Sequence, residues 1–82
     1  MQVLEIAAAE LEIGDALVSI LESGEEFYSY RIERVQHRII AKLVRFWDVR
    51  GKEFQVPAYE PTLIVRGKGI HPRGGKVKEQ GV

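Results

Sequence analysis

Two histidines and three serines are the residues of this chain best suited to metal binding or nucleophilic catalysis. His37 and His71 are far apart in the sequence and no cysteine accompanies them, whereas a zinc site needs several clustered nitrogen or sulfur ligands. No serine stands in the strand-to-helix elbow that activates a nucleophile, and a chain this short offers little to position a triad. We therefore expect no metal site, no catalytic residue and no enzyme activity.

Two glycine and lysine segments have part of the pattern of a phosphate-binding loop. They are Gly67-Lys68-Gly69 and Gly74-Gly75-Lys76. The nucleotide-binding loop requires Ser or Thr directly after the lysine, between a strand and a helix. Here Gly69 and Val77 follow the lysines, so we expect no nucleotide or other cofactor.

One cluster combines aromatic and basic residues. Phe46 and Trp47, the single tryptophan, lie between Arg45 and Arg50, with Lys42 nearby. Aromatic rings beside cations hold single-stranded nucleic acids without reading their sequence. The simpler alternative is that one ring packs in the core while the other lies partly exposed against basic side chains.

The C-terminal segment, residues 67–82, is rich in glycine and lysine and has few aliphatic residues. It cannot bury enough apolar surface to offset the entropy of ordering, so we expect a flexible basic tail. Its cations suit the phosphate backbone of a nucleic acid, although a solubilising terminus would have the same composition. With the cluster around Trp47, the candidate nucleic-acid-binding residues are Lys42, Arg45, Trp47, Arg66, Lys68, Arg73, Lys76 and Lys78.

The net charge of zero hides a division along the chain. Residues 1–30 contain seven acids and no Lys or Arg, whereas all twelve Lys and Arg residues lie in 31–82 against five acids. The basic half could form a binding face, or acidic and basic strands could pair and neutralise each other. The absence of cysteine favours a reducing compartment, and no apolar stretch is long enough to span a membrane, so we expect a cytoplasmic protein.

The elements that must position these residues form one small domain, residues 1–66. Ala16–Leu21, 53–56 and 62–66 have the composition and boundaries of strands. Residues 27–48 fit two patterns: strand alternation at Tyr28, Tyr30 and Ile32, and an amphipathic helix at 31–47. We predict an all-β fold of five or six strands, with an α+β fold that places this helix on a small sheet as the alternative. The expected core is Leu17, Tyr30, Ile32, Leu43, Phe54, Val56, Leu63 and Val65.

Three segments carry a resemblance to a group of known proteins. They are Leu11–Asp15, Gly51–Phe54, and Ala58–Thr62 leading into 63–66. In this order they resemble the small SH3-like β-barrel proteins of actinobacteria and their phages. The resemblance implies a small SH3-like barrel of five or six strands, with a turn at Gly14-Asp15 and a helical turn around Tyr59. It also places a turn near residues 36–38, where this chain departs from the pattern because it has no clear turn signal. The resemblance implies no activity, and it would make the chain a viral protein if phage-encoded.

The sequence thus predicts a non-catalytic accessory module that associates weakly with DNA or RNA, without sequence preference, through its basic second half and tail. The alternative is a protein-interaction or structural adaptor with no nucleic-acid role, whose grooves or strand edges bind a protein partner. The oligomeric state stays open.

Overall fold

The computed structural model describes residues 1–78, and residues 79–82 lie outside this range. Every strand pairing is antiparallel, and the sheet order is β1-β6-β2-β3-β4-β5, with β7 paired to β3. The strands are β1 (Val3–Ala7), β2 (Ala16–Ile20), β3 (Glu26–Arg38), β4 (Leu43–Asp48), β5 (Glu53–Pro57), β6 (Pro61–Val65) and β7 (Gly75–Lys76), with a short 3-10 helix at Ala8–Glu10. The predicted all-β class is confirmed.

The predicted alternative, a helix at 31–47, is wrong, because residues 1–78 contain no α-helix. This part of the chain is the end of β3, a turn and the start of β4. The turn lies at residues 39–42, after the expected position, and Lys42 has a positive φ of 54°. Ile39 and Ile40, which the helical pattern places on its apolar face, are 85% and 101% exposed. Pairing with β5 buries the alternate residues Val44 and Phe46 instead, so tertiary contacts override the helical spacing.

Strand β3 is long enough to serve both halves of the sheet. Its first part pairs with β2 and β7, and its second part pairs with β4. The register with β4 shifts by one residue between Ile32 and Arg34, which places an extra residue, Glu33, in β3. A bulge of this kind reverses the alternation of side chains. Ile32 is therefore buried, whereas Arg34 is exposed.

The main core lies where the bent sheet folds over itself. The sheet is open, since its two end strands, β1 and β5, do not pair with each other in the described residues. The 3-10 helix bridges this opening, where the backbone N–H groups of Ala8 and Ala9 donate to the carbonyls of Glu60 and Ala58 at 2.9 and 2.8 Å. The buried residues of this core are Ala8, Leu11, Ile32, Val44, Phe46 and Ile64.

A second, smaller core covers the other face of the first half of the sheet, and the C-terminal segment completes it. Ile70 is buried against Tyr28, Ala16 and Val65, with Val77 packed alongside. Packed residues therefore continue beyond the expected domain boundary at residue 66 as far as Val77, and the boundary itself stays a prediction. The reason is that a few aliphatic side chains suffice once a sheet face is available to receive them. The predicted flexibility stays a prediction for residues 79–82, outside the described range.

Backbone hydrogen bonds also hold the C-terminal segment to β3. The N–H of Val77 donates to the carbonyl of Glu26 at 2.9 Å, and the N–H of Arg31 donates to the carbonyl of Pro72 at 2.9 Å. The N–H of His71 donates to the hydroxyl of Tyr28 at 3.0 Å. No helix among residues 1–78 is long and apolar enough to cross a membrane.

Candidate nucleic-acid interface

The side of the β3-β4-β5 half that faces away from the main core carries the basic residues of the hairpin. Val44, Phe46 and Asp48 are buried, so the intervening residues of β4 point outward. Residues directly opposite in a sheet share a face, and the register pairs Arg34 with Trp47 and Arg38 with Leu43. We call this surface the outer face; its members are Arg34, Gln36, Arg38, Leu43, Arg45, Trp47, Glu53 and Gln55.

Trp47 lies beneath two guanidinium groups at the centre of the outer face. The Cζ atom of Arg34 is 4.4 Å from the Trp47 ring centroid, and that of Arg45 is 5.3 Å away. Attraction between a cation and the indole face holds each guanidinium in place. Phe46 is buried and stacks on Phe54, with ring centroids 5.0 Å apart. The two aromatics thus have different environments, and the Trp47 ring positions cations as well as offering a surface.

The cations of the outer face differ in how freely they can meet a ligand. Arg45 is half-buried and pairs with Glu53, Nη2 to Oε1 at 2.5 Å, and its buried Nε has no hydrogen-bond partner in the described residues. Arg34 and Arg38 are exposed, and neither forms an ion pair within residues 1–78. Lys42 is exposed in the adjoining turn. The two exposed arginines are therefore the most available phosphate donors of this surface.

Arg66, a candidate from the sequence, is held by the fold instead. Its Nε and Nη2 donate to the two carboxylate oxygens of Asp15 at 2.8 Å each. It also pairs with Glu12 at 2.8 Å, and Nη2 donates to the Glu10 carbonyl at 3.0 Å. The hydrogen bonds to Asp15 outweigh partial burial and raise the pKa of Arg66 above its ordinary value. Binding of Arg66 to a phosphate would compete with these contacts.

The remaining candidates lie on the C-terminal segment. This segment pairs with the start of β3, whereas the β3–β4 hairpin uses its second part. Lys76 pairs with Glu25 at 3.3 Å. Lys68, Arg73 and Lys78 are exposed and form no ion pair within the described part of the chain. The structure therefore brings Arg45 and Trp47 together on β4, with Lys42 in the turn before this strand. It shows no ion pair or cation–ring contact that joins them to the C-terminal cations within residues 1–78.

Sequence reasoning missed Arg34 and Arg38 as members of the site. Arg34, Gln36 and Arg38 follow one another at a spacing of two, as Arg45 and Trp47 do on β4, and this alternation is the signal that could have found them. It could be used only if residues 31–47 were known to be two strands.

A second ionic cluster holds the β4–β5 turn. The buried carboxylate of Asp48 accepts hydrogen bonds from the N–H groups of Arg50 and Lys52 at 2.8 and 3.2 Å. The Arg50 side chain pairs with it at 2.7 Å and lies 3.8 Å from the Tyr30 ring centroid. Burial opposes ionisation of Asp48, but the hydrogen bonds from Arg50 and Lys52 together lower its pKa. We regard these contacts as structural, because Asp48 and Arg50 neutralise each other and hold the turn.

No group of three or more His, Asp or Glu side chains that could hold a metal ion occurs in residues 1–78. Comparison with models of protein families, with curated proteins and with solved structures finds no match to this chain.

Proposed function

We propose that this chain is a non-catalytic binding module that associates with DNA or RNA, without sequence preference, through the outer face of its β3–β4 hairpin. The observation that supports this most directly is the placement of Arg34 over Trp47, with Arg38 further along the same face of β3 and Lys42 in the turn that follows. Guanidinium groups present several N–H donors to phosphate oxygens in a planar fork. No acid occurs between Arg34 and Arg45 to oppose an anionic ligand.

The weak, sequence-independent character follows from the chemistry of the surface. Specific recognition needs side chains that reach base edges in a groove, whereas phosphate contacts position a protein without reading sequence. A sheet face with few exposed cations offers a few phosphate contacts. Two guanidinium groups lie over the Trp47 ring, so only its rim is left for a nucleic-acid base to stack on. Glu53 neutralises Arg45 in part, which lowers the number of contacts further.

The experiment is a salt titration of binding to fluorescent single-stranded DNA, duplex DNA and RNA of unrelated sequence. In duplex DNA, each phosphate contact contributes about 0.9 to the slope of log affinity against log salt. The variant R34Q/R38Q should therefore lower the slope by roughly 2. The matched control K68Q/R73Q removes the same charge from exposed positions of the C-terminal segment and should leave the slope unchanged.

Two results would contradict the proposal. If the salt slope fell in K68Q/R73Q and not in R34Q/R38Q, the phosphate contacts would lie on the C-terminal segment and not on the outer face. No binding of the unaltered protein at low salt, where phosphate contacts are strongest, would reject nucleic-acid binding and favour the protein-interaction adaptor. That second candidate is supported by Ile39 and Ile40, whose side chains are exposed at the turn.

We infer that the chain is related to the small SH3-like proteins of actinobacteria and their phages, and that it acts in the cytoplasm. Two features support the relationship: Gly14, with a φ of 100°, lies in the turn before β2, and Gly51, with a φ of 83°, lies in the turn before β5. Both positions belong to the segments that carry the resemblance.

A further inference from the structure

The two ends of β3 carry hairpin tips that expose apolar side chains with opposite charge. We define the basic tip as residues 38–42, where Ile39 and Ile40 are exposed between Arg38 and Lys42. We define the acidic tip as residues 20–27, where the exposed Ile20, Leu21 and Phe27 accompany Glu22, Glu25 and Glu26. Together the two tips expose five of the seven large apolar residues that the described structure leaves at the surface.

Exposed apolar side chains grouped in this way are unusual in a monomer. Single exposed apolar residues are ordinary, whereas neighbouring ones with a charged rim mark interaction sites. Ile39 and Ile40 make no contribution to either core, because the turn holds them away from the sheet. Their exposure is therefore not explained by folding.

The charges of the two tips are complementary. The basic tip has no acid between Arg34 and Arg45. At the acidic tip, Lys76 and Lys78 border the hairpin, and Lys76 pairs with Glu25 at 3.3 Å. The three carboxylates outnumber the two lysines, and Glu22 and Glu26 have no ion pair within residues 1–78.

The two tips cannot meet within one molecule. They lie at opposite ends of the 13-residue strand β3, which corresponds to about 40 Å at the usual rise of an extended strand. A contact between them must therefore join two copies of the chain. Each copy would still offer an unused basic or acidic tip unless the assembly closes.

We propose that the protein self-associates by packing Ile39 and Ile40 of one copy against the exposed apolar residues of the acidic tip of another. Arg38 and Lys42 pair with Glu22 and Glu26 of the second copy. The contact buries apolar surface on both sides, and the ion pairs set which tips meet. Arg38 and Lys42 also belong to the surface proposed to bind nucleic acid, whereas the two isoleucines take part only in self-association, so I39S/I40S separates the two activities.

The test is sedimentation velocity of the full chain over a wide concentration range at low ionic strength. The mean mass should rise with concentration, and I39S/I40S should weaken association at least tenfold. Because both side chains are exposed, this variant should unfold at the same urea concentration as the unaltered protein. The control I13S, which alters another exposed isoleucine, should associate normally.

A charge exchange tests the pairing itself. R38E/K42E has acids at both tips and E22K/E26K has bases at both, so each should associate weakly alone, and their mixture should restore association. A monomer at every concentration, normal association of I39S/I40S, or a mixture that remains monomeric would overturn the proposal. So would a monomer that binds anionic lipid vesicles and loses this binding in I39S/I40S, which would assign the tip to a membrane surface.

Discussion

Arg66 holds the carboxylate of Asp15 at two points, although the two residues are 51 positions apart in the chain. Asp15 is 1% exposed and also accepts a hydrogen bond from the N–H of Glu12 at 2.9 Å. The contact ties the end of β6 to the turn that precedes β2. Both residues are therefore part of the framework of the domain.

Arg66→Met should destabilise the protein, because it leaves the buried carboxylate of Asp15 without its cation. Breaking a fully buried pair costs about 3–5 kcal/mol, and the partial exposure of Arg66 reduces this to about 2 kcal/mol in urea unfolding. The exposed control Arg73→Met should change little. The double variant D15N/R66M should lose less than the two single losses combined, and full additivity would show that the two residues do not interact.

Ile70→Ala tests whether the C-terminal segment is part of the domain. Ile70 is 7% exposed in the second core, and truncation of a buried isoleucine costs about 2 kcal/mol or more. The control Ile13→Ala, at an exposed position, should be nearly neutral. If the two variants were equally stable in urea, Ile70 would not pack in the domain, and the domain would end at residue 66.

Gly74 should tolerate no side chain. An added Cβ would lie 2.6 Å from the carbonyl oxygen of Tyr28, and φ is +86°. Gly69 has a similar φ of +88° but open space around it, so Gly69→Ala should cost only about 1 kcal/mol of backbone strain. Gly74→Ala should cost clearly more and should increase hydrogen exchange at the N–H of Val77. Similar effects in both variants would mean that the segment does not lie against β3.

Neighbouring residues of β6 should differ in their sensitivity to truncation. Ile64 is fully buried in the main core, whereas Leu63 is half-buried. Ile64→Ala should therefore cost about 3 kcal/mol and Leu63→Ala about half as much or less in chemical unfolding. If Leu63→Ala cost more than Ile64→Ala, the register of β6 would have to differ by one residue, because a slip of one residue exchanges the two faces of a strand.

The lowered pKa of Asp48 makes its contribution to stability depend on pH. The ionised form is favoured in the folded state, so the contribution is present above the unfolded pKa of about 3.9 and is lost as pH falls through the folded value. The stability difference between the unaltered protein and Asp48→Asn should be larger at about pH 7 than at about pH 2. A difference that does not change with pH would exclude the ionic contacts with Arg50 and the turn as its source.

The amino-acid sequence by itself favoured the all-β class and determined the turns at two glycines. The glycines at 14 and 51 have positive φ, which a residue without a Cβ adopts at little cost. Strand composition placed β2, β5 and β6 within a residue or two. Ile32 and Val65 were correctly assigned to the core, and both are buried.

The tertiary structure decided what local pattern left open. Residues 31–47 fit a helix and a hairpin alike, and the choice fell to strand pairing, which needs partners distant in sequence. Ile64 and Val65 are both buried because the first half of the sheet is covered on both faces. The alternation in the sequence indicated only one covered face. The second cover is the segment from Ile70 to Val77, whose composition resembles a free tail. Arg66 is bound for the same reason, because its partner Asp15 becomes a neighbour only when β6 lies beside β2.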